Sequence, residues 1–119
     1  MSLMSYKFPK SSRLLNAGDY SLVFKKTTAR AAAGAGTVIG IKSNQPDSRL
    51  GIIVAKKNVK LAAQRNRVKR IVRDYFRHHP LAEPMDLVFL ARRGVAERTN
   101  QDLCNDLSKI WRKLDQQQK

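Results

Sequence analysis

The residues of this chain best suited to chemistry form a run of arginines and lysines near its middle. The segment AKKNVKLAAQRNRVKRIVRDYFR, 55–77, contains nine Lys or Arg residues and a single acid, Asp74. A solvated helix usually mixes both signs of charge, because like charges four residues apart repel one another. The missing counter-charges therefore predict a negatively charged partner for this segment.

The residue types in the second half of this run suit phosphate groups. Arginine predominates there, and its planar guanidinium can donate paired hydrogen bonds to phosphate oxygens and stack on bases. Asn66 stands between Arg65 and Arg67 at the start of a predicted helix, whose free backbone N–H groups add phosphate donors. Three lysines precede that helix start: Lys56, Lys57 and Lys60. Together these residues predict one positive corner that suits a folded RNA, in which phosphates from separate strands converge.

The side chains that catalysis by the protein itself would need are scarce. The 9 acidic residues are scattered singly, and the sequence contains no P-loop, Gly-rich dinucleotide turn, zinc-ligand spacing or nucleophile elbow. His78 and His79 stand beside Pro80 at a predicted helix end, where helix capping is the simpler interpretation. The sequence therefore predicts no catalytic residue and no metal site in the protein.

The composition is that of one folded domain with a large positive charge. The 119 residues are 42% hydrophobic, and 24 basic against 9 acidic residues give a net charge of +15. Self-repulsion on this scale favours a polyanionic partner, with nucleic acid as the first candidate and an anionic membrane as the second. No apolar run approaches the roughly 18 residues of a membrane span. The lone Cys104 fits a reducing, cytoplasmic location.

The hydrophobic pattern predicts the elements that position the basic residues. Residues 1–15 are predicted to form an extended basic arm, of which Met1 to Leu3 could be an expression-tag remnant. A first helix follows, with Tyr20 and Phe24 one turn apart on its apolar face. The stretch 28–36 could be a loop or a strand entrance, and it is assigned to a short edge strand.

The rest of the chain alternates strands and helices. Two strands are predicted at 37–43 and 48–55, and the NQPD turn between them predicts an antiparallel hairpin. After the basic helix, DLVFLAR, 86–92, predicts a strand covered on both faces, and a last helix starts at Asn100. This order predicts an α+β fold in a single domain, residues 1–119. Its architecture is a two-layer sandwich of one mainly antiparallel sheet of about four strands with three helices.

The central segment closely resembles the signature of a known family. RLGIIVAKKNVKLAAQRNRVKRIVRDYFR, 49–77, resembles the bacterial ribonuclease P protein component, in which an apolar strand and a lysine pair precede Arg-Asn-Arg and Val/Ile-Lys-Arg on a helix. The likeness extends to FPKSSRLLNAGDYSLVF, to MDLVFLARRGVA and to the Leu-x-x-x-Leu-x-x-Ile-Trp-Arg-Lys ending. It runs from about Phe8 to Lys113, and residues 27–37 match least.

This resemblance implies the role of a ribonucleoprotein subunit. Members are small basic proteins that join a large catalytic RNA to remove 5′ leaders from precursor tRNA. The RNA holds the Mg²⁺ ions and performs the hydrolysis, so the protein alone is expected to be inactive. The expected partners are the catalytic RNA subunit and precursor tRNA, with no membrane and no DNA. The resemblance also implies a left-handed βαβ crossover through the basic helix, a rare exception to the right-handed rule.

The resemblance assigns the family's RNA contacts to two sets of residues in this chain. The catalytic RNA is expected at Lys56, Lys57, Lys60, Arg65, Asn66, Arg67, Lys69, Arg70 and Arg73. The 5′ leader is expected in a cleft between the first helix and the sheet, at Tyr20, Phe24 and Phe8. Aromatic platforms beside a basic groove commonly hold single-stranded RNA. From the residues alone, ordinary core is the simpler interpretation of Tyr20 and Phe24.

Three other functions fit parts of the pattern. A ribosomal protein or RNA chaperone could use the same basic corner for structure only. A helix-turn-helix protein could read a DNA major groove with residues 64–77, although 48–55 reads as a strand and not as the preceding helix of that motif. An autonomous nuclease would need catalytic groups that the sequence does not bring together.

Overall fold

The computed structural model describes Arg13 and residues 17–117, which form three helices and a four-stranded sheet. In chain order the elements are α1 (Ala17–Lys25), β1 (Ala29–Ala33), β2 (Gly36–Lys42), β3 (Arg49–Ile53), α2 (Ala62–His78), β4 (Met85–Ala91), a 3-10 turn (Val95–Glu97) and α3 (Asn100–Gln117). The predicted α+β class is confirmed, and the basic helix is α2. Phe8 and all of the predicted arm except Arg13 lie outside the described residues.

The strand order of the sheet is β1-β2-β4-β3, which corrects one prediction. β2 pairs antiparallel with both β1 and β4, and β3 pairs with β4 in parallel. The antiparallel hairpin predicted for 37–43 and 48–55 is therefore wrong, because β4 lies between these two strands. The physical reason is burial: β4 is almost continuously buried, and a central position covers both of its faces. The NQPD turn reverses the chain without pairing the strands that it joins.

The stretch 28–36 contains β1, the edge strand predicted there, and β1 forms the hairpin of this fold with β2. The outer edge of β1 is covered by α3. The Gln117 side chain accepts a hydrogen bond from the backbone N–H of Arg30 (2.9 Å) and donates one to its carbonyl oxygen (2.7 Å). Lys113 Nζ donates to the carbonyl oxygen of Ala32 (2.9 Å). These bonds occupy an edge that could otherwise pair with another chain.

Successive side chains of the strands point to opposite faces of the sheet, and the helices divide between these faces. α2 and α3 cover the first face, where Val68 and Val72 of α2 join the main core with Leu50, Leu87 and Phe89. α1 lies on the second face, where it buries a smaller cluster: Val23, Ile39, Ile41 and Val88. The sheet with α2 and α3 forms the two-layer sandwich, and α1 is packed on its other side.

α2 ends at His78, as the proline two residues later predicted. α3 holds this end, because Trp111 Nε1 donates to the carbonyl oxygen of His79 (2.8 Å). The ring of His79 also stacks on Tyr75, with 3.8 Å between the ring centroids. β3, α2 and β4 form the expected βαβ crossover between adjacent parallel strands, and its left hand stays a prediction. None of the described helices has the length and apolar character that a bilayer crossing requires.

Candidate nucleic-acid interface

α2 separates an apolar face from a basic face, as its sequence predicted. Val68 and Val72 are fully buried against the core. Exposed cations and one exposed amide lie on the helix and on the loop before it: Lys56, Lys57, Lys60, Asn66, Arg70 and Arg73. We define the basic corner as the cluster at the helix start: Lys56, Lys57, Lys60, Arg65, Asn66, Lys69 and Arg70.

Within Arg13 and residues 17–117, acidic side chains do not neutralise the basic corner. Arg49, Arg77 and Arg98 form ion pairs with acids, and among the described residues no ion pair uses a residue of the basic corner. Clustered cations without counter-charges create a positive potential that attracts polyanions. The arrangement is therefore suited to binding phosphates.

Arg67 differs from its neighbours because its guanidinium is bonded within the protein. It donates to the backbone carbonyl oxygens of Ala96 (3.0 Å) and Arg98 (3.1 Å). It also donates to the side-chain oxygens of Gln64 (2.9 Å) and Asn100 (2.7 Å). Four of the five N–H donors of a guanidinium are thereby used. Arg67 ties α2 to the segment that leads into α3, and its expected RNA contact stays a prediction.

Arg65 also folds back on the protein and closes the loop before α2. Its Nη1 donates to the carbonyl oxygens of Val59 (3.0 Å) and Lys60 (2.9 Å). The N-cap residue of α2 is Leu61, and no side chain caps the helix there, so first-turn N–H groups can bind an anion. Leu61 is 66% exposed and adds an apolar contact at the basic corner that the sequence pattern did not indicate.

The aromatic residues predicted for the leader lie on α1, over the second face of the sheet. Tyr20 packs against the cluster on that face, and its ring lies so close to Gly51 that an added Cβ there would be 2.6 Å from Cε1 of Tyr20. Phe24 is 47% exposed, and Ile53 of β3 is 37% exposed. Phe24 therefore lies outside the core and Tyr20 partly inside it. Leader binding by either residue stays a prediction.

A buried ion pair beside this cleft was missed in the sequence. Arg49 donates two hydrogen bonds to the carboxylate of Asp86 (2.9 and 2.7 Å), a residue only 4% exposed. The hydrogen bond to Asp86 raises the pKa of Arg49. Asp19 of α1 lies 3.8 Å from the same guanidinium, so the pair also holds α1 on the sheet. The available signal was Asp86 itself, because an acid within an apolar strand requires a basic partner.

The other well-buried carboxylate is also engaged with an arginine. Asp106 accepts two hydrogen bonds from Arg98 (2.6 and 3.1 Å), and on the surface of α2 Asp74 pairs with Arg77. Within Arg13 and residues 17–117, no three His, Cys, Asp or Glu side chains are grouped so that they could hold a metal ion. The chemistry that the described side chains support best is therefore anion binding at the basic corner and stacking at α1.

Sequence comparison places this arrangement among known proteins. The family model described as Ribonuclease P matches residues 8–115. The ribonuclease P protein component of Marinomonas sp. (strain MWYL1) is 48% identical over 113 residues, which cover 94% of this chain and 86% of that protein. The protein of the same name from Proteus mirabilis (strain HI4320) is 41% identical over 112 residues, which cover 93% of each chain.

Solved structures share the fold. A Staphylococcus aureus RNase P protein mutant with defective mRNA degradation activity superposes with a TM-score of 0.79 at 27% identity, covering 93% of this chain and 91% of its own. The RNase P protein from Thermotoga maritima gives a TM-score of 0.73 at 27% identity, covering 87% and 96%. With a family match over nearly the whole sequence, these similarities show that the chain belongs to the ribonuclease P protein component family.

Proposed function

We propose that this protein is the subunit of ribonuclease P that binds the catalytic RNA through the basic corner. The observation that carries the proposal is the group of exposed cations at the start of α2, which no ion pair of the described chain neutralises. Neutralising phosphates with such cations releases counterions and gives a salt-dependent affinity. Within the corner, Arg70 is the best placed of the helix residues, because it is exposed and Arg65 is partly bonded within the protein.

The second part of the proposal concerns the 5′ leader of precursor tRNA. Phe24 and Tyr20 lie one turn apart on α1, and Ile53 is exposed on the sheet face below. Unpaired bases stack on such aromatic side chains with little dependence on sequence. The exposure of Phe24 supports a binding role over a core role. Gly51 supports the same site, because its missing side chain leaves the space that the Tyr20 ring occupies.

The third part of the proposal assigns the chemistry to the RNA. The RNA would hold the Mg²⁺ ions and perform the phosphodiester hydrolysis, and the protein would bind and orient the substrate. The commitment of Asp86 and Asp106 to arginines supports this division, because both oxygens of each carboxylate already accept hydrogen bonds from a guanidinium. The Staphylococcus aureus neighbour is described as a mutant with defective mRNA degradation activity, so the present protein must also be assayed for cleavage free of RNA.

Binding to matched nucleic acids tests the proposal. We expect tight binding to the catalytic RNA, an affinity that falls steeply with salt between about 0.05 and 0.5 M, and much weaker binding to duplex DNA of equal length. The measurement is a filter-binding or fluorescence titration of both nucleic acids across that salt range. Equal affinity for the DNA duplex would favour major-groove recognition, and absence of binding to the catalytic RNA would refute the proposal.

A further inference from the structure

Two more arginines lie at the end of the sheet that carries the basic corner. β4 ends at Ala91, and Arg92 and Arg93 follow on the chain that leads to the 3-10 turn. Both side chains are exposed. In the part of the chain that the structure describes, no side-chain hydrogen bond or ion pair uses either guanidinium. We call residues 92–94 the β4 turn.

The β4 turn lies beside the loop that carries Lys56 and Lys57. β3 and β4 are parallel neighbours, so the loop after β3 and the turn after β4 leave the sheet at the same end. Asn58 joins the two, because its Nδ2 donates to the carbonyl oxygen of Ala91 (3.2 Å). Arg92 therefore directly follows Ala91, which is bonded to the loop that carries Lys56 and Lys57.

Hydrogen bonds hold the chain on both sides of the two arginines. Before them, the backbone N–H of Arg92 donates to the carbonyl oxygen of Ala35 (3.0 Å). After them, Gly94 reverses the chain with a φ of 90°, and Arg67 donates to the carbonyl oxygen of Ala96 (3.0 Å). A cation on a chain that is already positioned loses less conformational freedom on binding than one on a loose loop. The internal bonds of Arg67 thus position another pair of cations.

The charge around the β4 turn is strongly unbalanced. The segment 87–101 contains one acid, Glu97, and the segment 48–73 contains none. Arg92 and Arg93 add two positive charges to an end of the sheet that already carries the basic corner. Repulsion among these cations is a cost that a polyanion would relieve.

We propose that Arg92 and Arg93 extend the basic corner and bind phosphates of the catalytic RNA. This inference rests on the proposed function of the corner and adds a second segment of the chain to the same surface. The catalytic RNA is favoured over the leader because Ala91, directly before the β4 turn, is bonded to the loop of Lys56 and Lys57, whereas the leader site is assigned to α1. Phosphate is the group recognised, because each guanidinium presents a planar set of donors to it.

The test compares two double variants that lose the same charge. R92Q/R93Q removes the cations of the β4 turn, and K109Q/R112Q removes two exposed cations from the second half of α3. In that half of α3, Trp111 bonds to His79 at the end of α2, and Asp115 accepts a hydrogen bond from the backbone N–H of Ala82 before β4 begins, so both contact segments at the end of the sheet away from the β4 turn. We measure Kd for the cognate catalytic RNA from about 0.1 to 1 M salt, together with a melting curve for each free protein.

R92Q/R93Q is expected to weaken RNA binding roughly 30-fold at 0.15 M salt and to lower the slope of log K against log salt by nearly two, because each lost phosphate contact removes about 0.9 from it. The affinities of R92Q/R93Q and the wild type for the catalytic RNA should become equal on extrapolation to 1 M salt. K109Q/R112Q should change the affinity about threefold or less, since a distant charge acts only through a screened potential. Both variants should melt like the wild type.

Three results would overturn the inference. One is an unchanged affinity and salt slope for R92Q/R93Q, and another is an equal loss in both double variants. The third is normal binding of catalytic RNA with a selective loss of precursor over mature tRNA by the holoenzyme, which would assign the two arginines to the leader. Arg70→Gln in the same assay separates this inference from the proposed function. If Arg70→Gln weakens binding and R92Q/R93Q does not, only the inference fails; if neither does, the proposed role of the corner fails.

Discussion

Arg67→Ala should destabilise the fold, although Arg67 stands in the middle of the Arg-Asn-Arg motif. The guanidinium donates four hydrogen bonds, and three of them lie in part-buried surroundings: those to Ala96, Arg98 and Gln64. Each such bond contributes about 0.5–1.5 kcal/mol net, so the free energy of unfolding should fall by roughly 2–4 kcal/mol. For a domain of this size the melting temperature should fall by roughly 10–15 °C. The bond to Asn100 is exposed and is left out of this sum.

A melting curve followed by circular dichroism measures this effect, with Arg70→Ala as the matched control. Arg70 is exposed, so its loss should leave the melting temperature within about 2 °C of the wild type, as for most surface substitutions. Its loss should instead lower the salt slope of RNA binding by about 0.9. Arg67→Lys keeps the charge but cannot reach four acceptors, so most of the stability should still be lost. A melting temperature of Arg67→Ala equal to that of Arg70→Ala would refute the structural role of Arg67.

Three further substitutions test the cleft and its support. Phe24→Ala should lower holoenzyme affinity for precursor tRNA roughly tenfold through lost stacking and leave mature tRNA binding and the melting temperature nearly unchanged. Gly51→Ala places a Cβ 2.6 Å from the Tyr20 ring, so it should displace that ring, lower stability by about 1–3 kcal/mol and weaken precursor binding selectively. Arg49→Met leaves the Asp86 carboxylate buried and unpaired, at a cost of roughly 3–5 kcal/mol measured by denaturant unfolding, most of which R49M/D86L should recover.

A specific result would refute each of these three predictions. A large fall in melting temperature for Phe24→Ala, with equal losses of affinity for precursor and mature tRNA, would show that Phe24 acts in core packing and not in leader binding. Wild-type precursor binding by Gly51→Ala would show that the position of the Tyr20 ring does not matter for the leader. An R49M/D86L variant no more stable than Arg49→Met would mean that the cost does not arise from a buried, unpaired charge.

The elements of this fold could be predicted from local pattern, whereas the strand order could not. Val68 and Val72 at helical spacing identified the buried face of α2, and the continuous apolar run of β4 identified a strand covered on both faces. Strand pairing is decided between segments far apart in the chain. The local turn at NQPD favoured pairing β2 with β3, but the greater burial of β4 placed it between them.

The composition of the candidate site could also be predicted, but the state of each arginine could not. Arg65, Arg67 and Arg70 look equivalent in sequence, since all three are off the apolar stripe of α2. Their states differ because the acceptors of Arg67 include the carbonyl oxygens of Ala96 and Arg98, which only the folded chain brings to α2. Every residue has a backbone carbonyl oxygen, so neither composition nor helical periodicity can predict which carbonyl oxygens accept a bond from an arginine.

Cleavage of a 5′-labelled precursor tRNA by three preparations in Mg²⁺ tests whether the RNA and not the protein performs the hydrolysis. These are the RNA-free protein, the catalytic RNA, and the two combined, each at the same physiological salt. We predict no cleavage by the protein alone and leader removal at the mature 5′ end by the combined enzyme, with a higher kcat/KM than that of the RNA without protein. RNA-free, nuclease-free protein that cuts precursor tRNA at the mature 5′ end would contradict the assignment of the hydrolysis to the RNA.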